Sequence, residues 1–102
     1  MKKYYDNHEW VDVKDGVGTV GITAAAAKEL GNIVYVELPE VGRRLDVGDY
    51  AVIVESTKAA SEIYSPIAGT VIAVNEELST SPSLINSSPE DKGWIFSVTS
   101  DQ

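Results

Sequence analysis

Lys58 is the residue whose surroundings best suit it to chemistry. Ser56, Thr57, Ala59, Ala60 and Ser61 flank it with small side chains that leave the ε-amine sterically open, and Glu55 and Glu62 bracket it at −3 and +4. That pattern presents an amine to a modifying enzyme. A solvated loop has the same composition, because most lysines lie on surfaces and carry no function. Other routes to chemistry close quickly. A catalytic triad needs a histidine beside its nucleophile, and His8, next to Glu9 and Trp10, is the single histidine. Cysteine is absent, which removes disulfides, thiolate zinc ligands and thiol nucleophiles together. The sequence contains no Asp-x-Asp-x-Asp-Gly calcium loop, and its glycines do not spell a phosphate loop. His8 reads as a packed or solvent-exposed side chain, and the carboxylate pairs Asp46/Asp49 and Glu76/Glu77 read as solvated faces. Elimination therefore predicts a non-catalytic chain to which any redox chemistry is brought from outside.

The charge balance points the same way. Sixteen Asp and Glu against eight Lys and Arg give a formal charge of −8 at pH 7, which repels phosphate backbones and makes nucleic acid an unsuitable partner. An acidic surface favours docking on proteins with basic patches. No apolar run approaches the ~18 residues of a membrane span. Met1-Lys2-Lys3 is not followed by the apolar stretch of a signal peptide, so the expected compartment is the cytoplasm. A chain of 102 residues predicts one domain, 1–102.

The elements that must position Lys58 are short strands. Trp10-Val11-Asp12-Val13 and Val17-Gly18-Thr19-Val20 read as a hairpin turning at Lys14-Asp15-Gly16. Thr23 is the expected N-cap of a helix over residues 24–30, closed by Gly31, with no capping box because N3 is Ala26. That two-turn helix must pack through Ile22, Leu30 and its alanines, since it is too short to stand alone in water. Strand patterns follow over 33–38, ending at Pro39, then around Leu45, over 50–55, over 68–74 and over 94–98, with a Ser/Thr/Pro-rich loop from Ser79 to Pro89. The stretch from Glu55 to Tyr64 is ambiguous. Propensity behind a possible Ser56 N-cap favours a helix, whereas its position between two β-rich runs favours a hairpin reversing near Thr57-Lys58 without a glycine. Many short strands at turn spacing predict an all-β flattened barrel or sandwich with one short helix.

At this point the residues carry a resemblance. Glu55-Ser56-Thr57-Lys58-Ala59-Ala60-Ser61-Glu62, followed by Ser65-Pro66-Ile67-Ala68-Gly69-Thr70-Val71, resembles the lipoyl-lysine hairpin of the glycine cleavage system H proteins. The likeness extends in order to His8-Glu9-Trp10, Val20-Gly21-Ile22-Thr23, Leu30-Gly31-Asn32-Ile33-Val34, Val36-Glu37-Leu38-Pro39, Val41-Gly42, Ile85-Asn86-Ser87-Ser88-Pro89 and Gly93-Trp94. A biotin carrier has Met on both sides of its lysine, where Thr57 and Ala59 stand here. Lipoyl domains of 2-oxoacid dehydrogenases share the hairpin but lack the His-Glu-Trp opening and the Val-Glu-Leu-Pro block.

The resemblance implies a two-sheet fold of the lipoyl/biotinyl-carrier type and lipoic acid attached by an amide to Lys58. It implies a monomeric carrier of an aminomethyl group between glycine decarboxylase, aminomethyltransferase and dihydrolipoamide dehydrogenase, after loading by a lipoate-attaching enzyme. Exposed lysines are charged at pH 7, so the base for acylation comes from that enzyme. Tethering raises effective concentration at each partner without adding a catalytic group. The family shelters the loaded arm in a cleft with acidic residues, and the matching positions are Glu9 and Glu62. Two departures stand out. Ala24, Ala25 and Ala27 replace an acidic residue, an aromatic or His, and Gln, and no C-terminal helical segment follows the last strand before Gln102. These departures leave a second reading, an H-like protein that relays lipoyl groups or serves as a lipoylated scaffold.

Overall fold

The computed structural model describes residues 2–5 and 8–99. Its nine strands are β1 (Lys2–Tyr5), β2 (Glu9–Lys14), β3 (Val17–Ile22), β4 (Ile33–Glu37), β5 (Arg44–Leu45), β6 (Tyr50–Ser56), β7 (Ala60–Tyr64), β8 (Gly69–Val74) and β9 (Phe96–Thr99). Three helices interrupt them: α1 (Ala24–Leu30), α2 (Glu77–Thr80) and α3 (Leu84–Ser87). Asp15 and Gly16, at φ of 53° and 78°, make the two-residue turn that joins β2 to β3. Positive φ at both positions matches the right-handed twist of the flanking strands. The strands assort into a six-stranded sheet in the order β1-β2-β3-β9-β8-β5 and a three-stranded sheet in the order β4-β6-β7. Pairing is antiparallel throughout. The result is two sheets sharing one core, a sandwich instead of a closed barrel.

Alternation along the strands fills that core. Val11 and Val20 pair across β2 and β3, Val36 and Val54 across β4 and β6, and Val71 and Val98 across β8 and β9, and all six are buried. Phe96, fully buried in β9, lies among them. Side chains of this size contribute about 1.5–3 kcal/mol each on burial. Their consistent inward placement fixes the register of both sheets, because a one-residue slip would turn every apolar side chain outward.

Several expectations need correction. The Ser79–Pro89 stretch is not plain loop: α3 and the end of α2 lie in it, and each of these single turns hangs on one buried residue, Leu78 and Ile85. Tertiary burial overrides the weak helix propensity of Ser, Thr and Asn here. The last strand starts at Phe96, two residues later than the pattern from Trp94, although Ile95 already donates its N–H to Val20 O of β3. β1 was not foreseen from the sequence. It pairs along β2 from Lys2↔Asp12 to Tyr5↔Glu9. Among the described residues no helix is long and apolar enough to cross a membrane.

Candidate functional site

The hairpin of β6 and β7 is where the sequence left helix and turn undecided, and Ser56 decides it. Its hydroxyl accepts the N–H groups of Lys58 and Ala59, each at 3.1 Å, while its own N–H donates to Ala59 O at 2.8 Å. The residue thus does the chemistry of a helix N-cap, but in a hairpin whose loop is Thr57 and Lys58. Neither loop residue has positive φ, so no glycine is required. Lys58 stands exposed at the tip. Among the described residues no hydrogen bond or ion pair holds its ammonium.

The tip leans on the turn between α1 and β4. Thr23 caps α1 as expected, its Oγ1 accepting Ala26 N–H at 3.1 Å, and Gly31 N–H donates to Ala27 O at the other end. Gly31 sits at φ 85°, ψ −156°, a region closed to residues with a side chain. Asn32 O then accepts Thr57 N–H at 3.1 Å, tying the hairpin loop to this turn. The Lys58 stem runs along Gly31 so closely that a methyl group there would lie 3.2 Å from Cε and 3.7 Å from Nζ.

Beyond Gly31 opens a cleft of about 390 Å³ between the sheets. α1 supplies Ala26, Glu29 and Leu30, β7 supplies Ser61 to Tyr64, and His8 and Glu9 close it from the start of β2. This volume falls within the ~300–1,000 Å³ of small-molecule sites. Glu9 and Glu62, singled out from the sequence, therefore share one cavity although they belong to different sheets. The sequence reading missed Glu29, a third carboxylate on the same wall; no motif marked it. His8 is exposed at the cleft, and its carbonyl accepts Thr23 N–H at 2.9 Å. Glu62 Oε1 accepts the Tyr64 hydroxyl at 2.8 Å, and that hydrogen bond, with the Glu62 charge behind it, pushes the tyrosine pKa up. Of the departures in α1, Ala24 and Ala25 are exposed, whereas Ala27 is buried in the core.

These residues fit an acylated lysine arm. Gly31, next to Leu30 of the cleft wall, puts no side chain beside Nζ, Leu30 and Ile63 offer apolar wall, and three carboxylates suit a cationic end through charge-assisted hydrogen bonds.

The comparisons with known proteins show the family. The family model described as Glycine cleavage H-protein matches residues 2–102. The chain is 51% identical over 98 residues to the glycine cleavage system H protein of Thermotoga maritima, covering 96% of this chain and 79% of that one. It is 54% identical over 100 residues to that of Saccharophagus degradans, covering 97% and 77%. Among solved structures it is similar to a glycine cleavage system H protein from Mycobacterium marinum, with a TM-score of 0.93 and 37% identity over 98% of this chain and 84% of that one.

Proposed function

The chain belongs to the glycine cleavage H-protein family, and on that premise we propose that it is the lipoyl carrier of a glycine cleavage system with Lys58 as its attachment residue. It is a non-catalytic carrier that works with the enzymes of that system. The single observation that carries the reading is an exposed lysine at a hairpin tip, with no hydrogen bond or ion pair on its ammonium among the described residues, whose stem passes Gly31 next to a cleft lined by Glu9, Glu29 and Glu62. When bound, the lipoyl group supplies a disulfide that takes up an aminomethyl group and electrons.

Everything else is the work of this chain's residues. Ser56 and the Thr57–Asn32 hydrogen bond hold the tip open to an attaching enzyme. Gly31 leaves room for the lysine stem, and Leu30 and Ile63 exclude water from one side of the cleft. Glu9 and Glu62 attract the ammonium at the end of a loaded arm. Glycine decarboxylase, aminomethyltransferase and dihydrolipoamide dehydrogenase are the proposed partners, met in the cytoplasm by a single domain of residues 1–102.

The test is the intact mass of parent and Lys58→Arg after incubation with a lipoate ligase, lipoate and ATP. Arginine keeps the charge but stays protonated and is not acylated. The parent gains one lipoyl group and the variant none. Lipoyl mass on Lys28 or Lys92 would overturn the assignment.

A further inference from the structure

We propose that Asn86 is a positioning residue for the carrier lysine, its side-chain amide clamping the turn that anchors the hairpin tip and underlies the lysine stem. The inference rests on Lys58 being the attachment residue. Asn86 lies in α3, far from Lys58 in sequence, and its amide uses both ends on one short segment. Oδ1 accepts Ile33 N–H at 2.9 Å, and Nδ2 donates to Gly31 O at 2.7 Å. Between those two points sits Asn32, whose carbonyl accepts Thr57 N–H at 3.1 Å. One side chain therefore fixes the peptide on which the Lys58 loop hangs. It also fixes Gly31, the residue along which the Lys58 stem runs.

The clamp has a mechanical reason. Gly31 is the one point in this segment whose backbone freedom is large, because glycine loses more conformational entropy on ordering than any other residue. A turn through such a residue does not hold its own shape. Fixing the carbonyl of Gly31 and the amide of Ile33 removes that freedom on both sides of Asn32. A tip ordered in advance costs an attaching enzyme less to bind, so the benefit belongs in KM instead of kcat.

Two variants of the full chain test this. Asn86→Ala removes both hydrogen bonds. Asn86→Asp keeps the acceptor for Ile33 N–H at pH 7 but loses the donor to Gly31 O, and regains a donor when its carboxyl is protonated. Native-state amide exchange is followed at Thr57 and, as the sheet reference, at Val54. Losing the clamp should speed exchange at Thr57 by about tenfold relative to Val54, the factor that one to two hydrogen bonds represent. In Asn86→Asp the Thr57 protection, corrected for intrinsic rates, should return towards the parent's value at pH 4 and be lost at pH 7. Lipoate ligase should show a raised KM for both variants at pH 7 with kcat unchanged. Equal acceleration at Thr57 and Val54 would reduce Asn86 to a contributor to global stability and overturn the proposal. An unchanged KM beside a loosened Thr57 would overturn it too, by showing that the clamp does not serve the lysine. If the parent accepts no lipoyl group, the proposed function fails, and the exchange measurement still decides whether the clamp exists.

Discussion

Glu9 and Glu62 reach one cleft from opposite sheets, and their charge is what a cationic arm end would meet there. Replacing either by Gln keeps the shape and an acceptor oxygen but removes the charge. Hydrogen bonds to ions are worth about 1.5–3 kcal/mol against roughly 1 for neutral ones, and solvent screening at half-buried Glu9 and exposed Glu62 cuts the difference. Each variant should therefore release ammonia from the loaded carrier roughly twofold to tenfold faster than the parent in the absence of the transferase. Lipoate attachment should be unchanged. Equal release rates for parent, Glu9→Gln and Glu62→Gln would mean that neither carboxylate holds the arm. At this scale the exposure of Lys58 was legible from its small neighbours, and the shared cleft of Glu9 and Glu62 from the resemblance. Glu29 and Asn86 were not, because each acts through geometry that packing of α1 and α3 creates, and a lone Glu or Asn in a sequence carries no trace of what will face it.

Thr23 and Ser56 show how the same local chemistry serves different elements. Both hydroxyls accept N–H groups two or three residues ahead. After Thr23 come four alanines, and the chain continues as a helix; after Ser56 the chain reverses, because Ala60 to Tyr64 can pair with β6 and bury Ile63. Pairing partners far along the chain thus settled a choice that propensity left open. For the same reason α2 and α3 were invisible: one turn around a single buried Leu or Ile has no periodicity to detect. The cap on α1 was visible, and it makes a quantitative claim. Thr23→Ala should cost on the order of 1 kcal/mol. Urea unfolding midpoints of parent and variant measure it, and coincident midpoints would remove Thr23 as the cap. Lipoylation at Lys58 should hardly change, since Asn86 and Asn32, not the start of α1, hold the hairpin loop.

At the scale of the molecule, strand spacing made the sandwich legible but not how its β1 edge is secured. β1 had no alternating apolar signal to betray it; it is held by polar contacts that converge on Glu90. The Tyr4 hydroxyl donates to Oε1 at 2.7 Å, Ala24 N–H donates to Oε2 at 3.1 Å, and Lys2 Nζ donates to the Glu90 carbonyl at 2.6 Å while resting 4.4 Å from the centre of the Trp10 ring. One carboxylate so joins the outermost strand, the first turn of α1 and the segment before β9. The Tyr4 hydrogen bond, then that of Ala24, holds the Glu90 pKa below its ordinary value, against a small opposing effect of burial. The same contact pushes the Tyr4 pKa up. A carboxyl with a lowered folded pKa stabilises fully above its unfolded value of about 4.3 and loses that contribution as pH falls through the folded value. A tyrosine with a raised folded pKa does the reverse, stabilising below about 10 and losing the contribution as pH rises through its folded value. Glu90→Gln offers only one acceptor oxygen where the parent uses two. The difference in urea midpoint between parent and variant should therefore form a plateau across neutral pH, shrinking below about pH 4 and again above about pH 10. Taking the difference between the two proteins isolates the contribution of position 90. A difference that stays constant from pH 3 to pH 8 would show that Glu90 holds this edge by shape alone, without its charge.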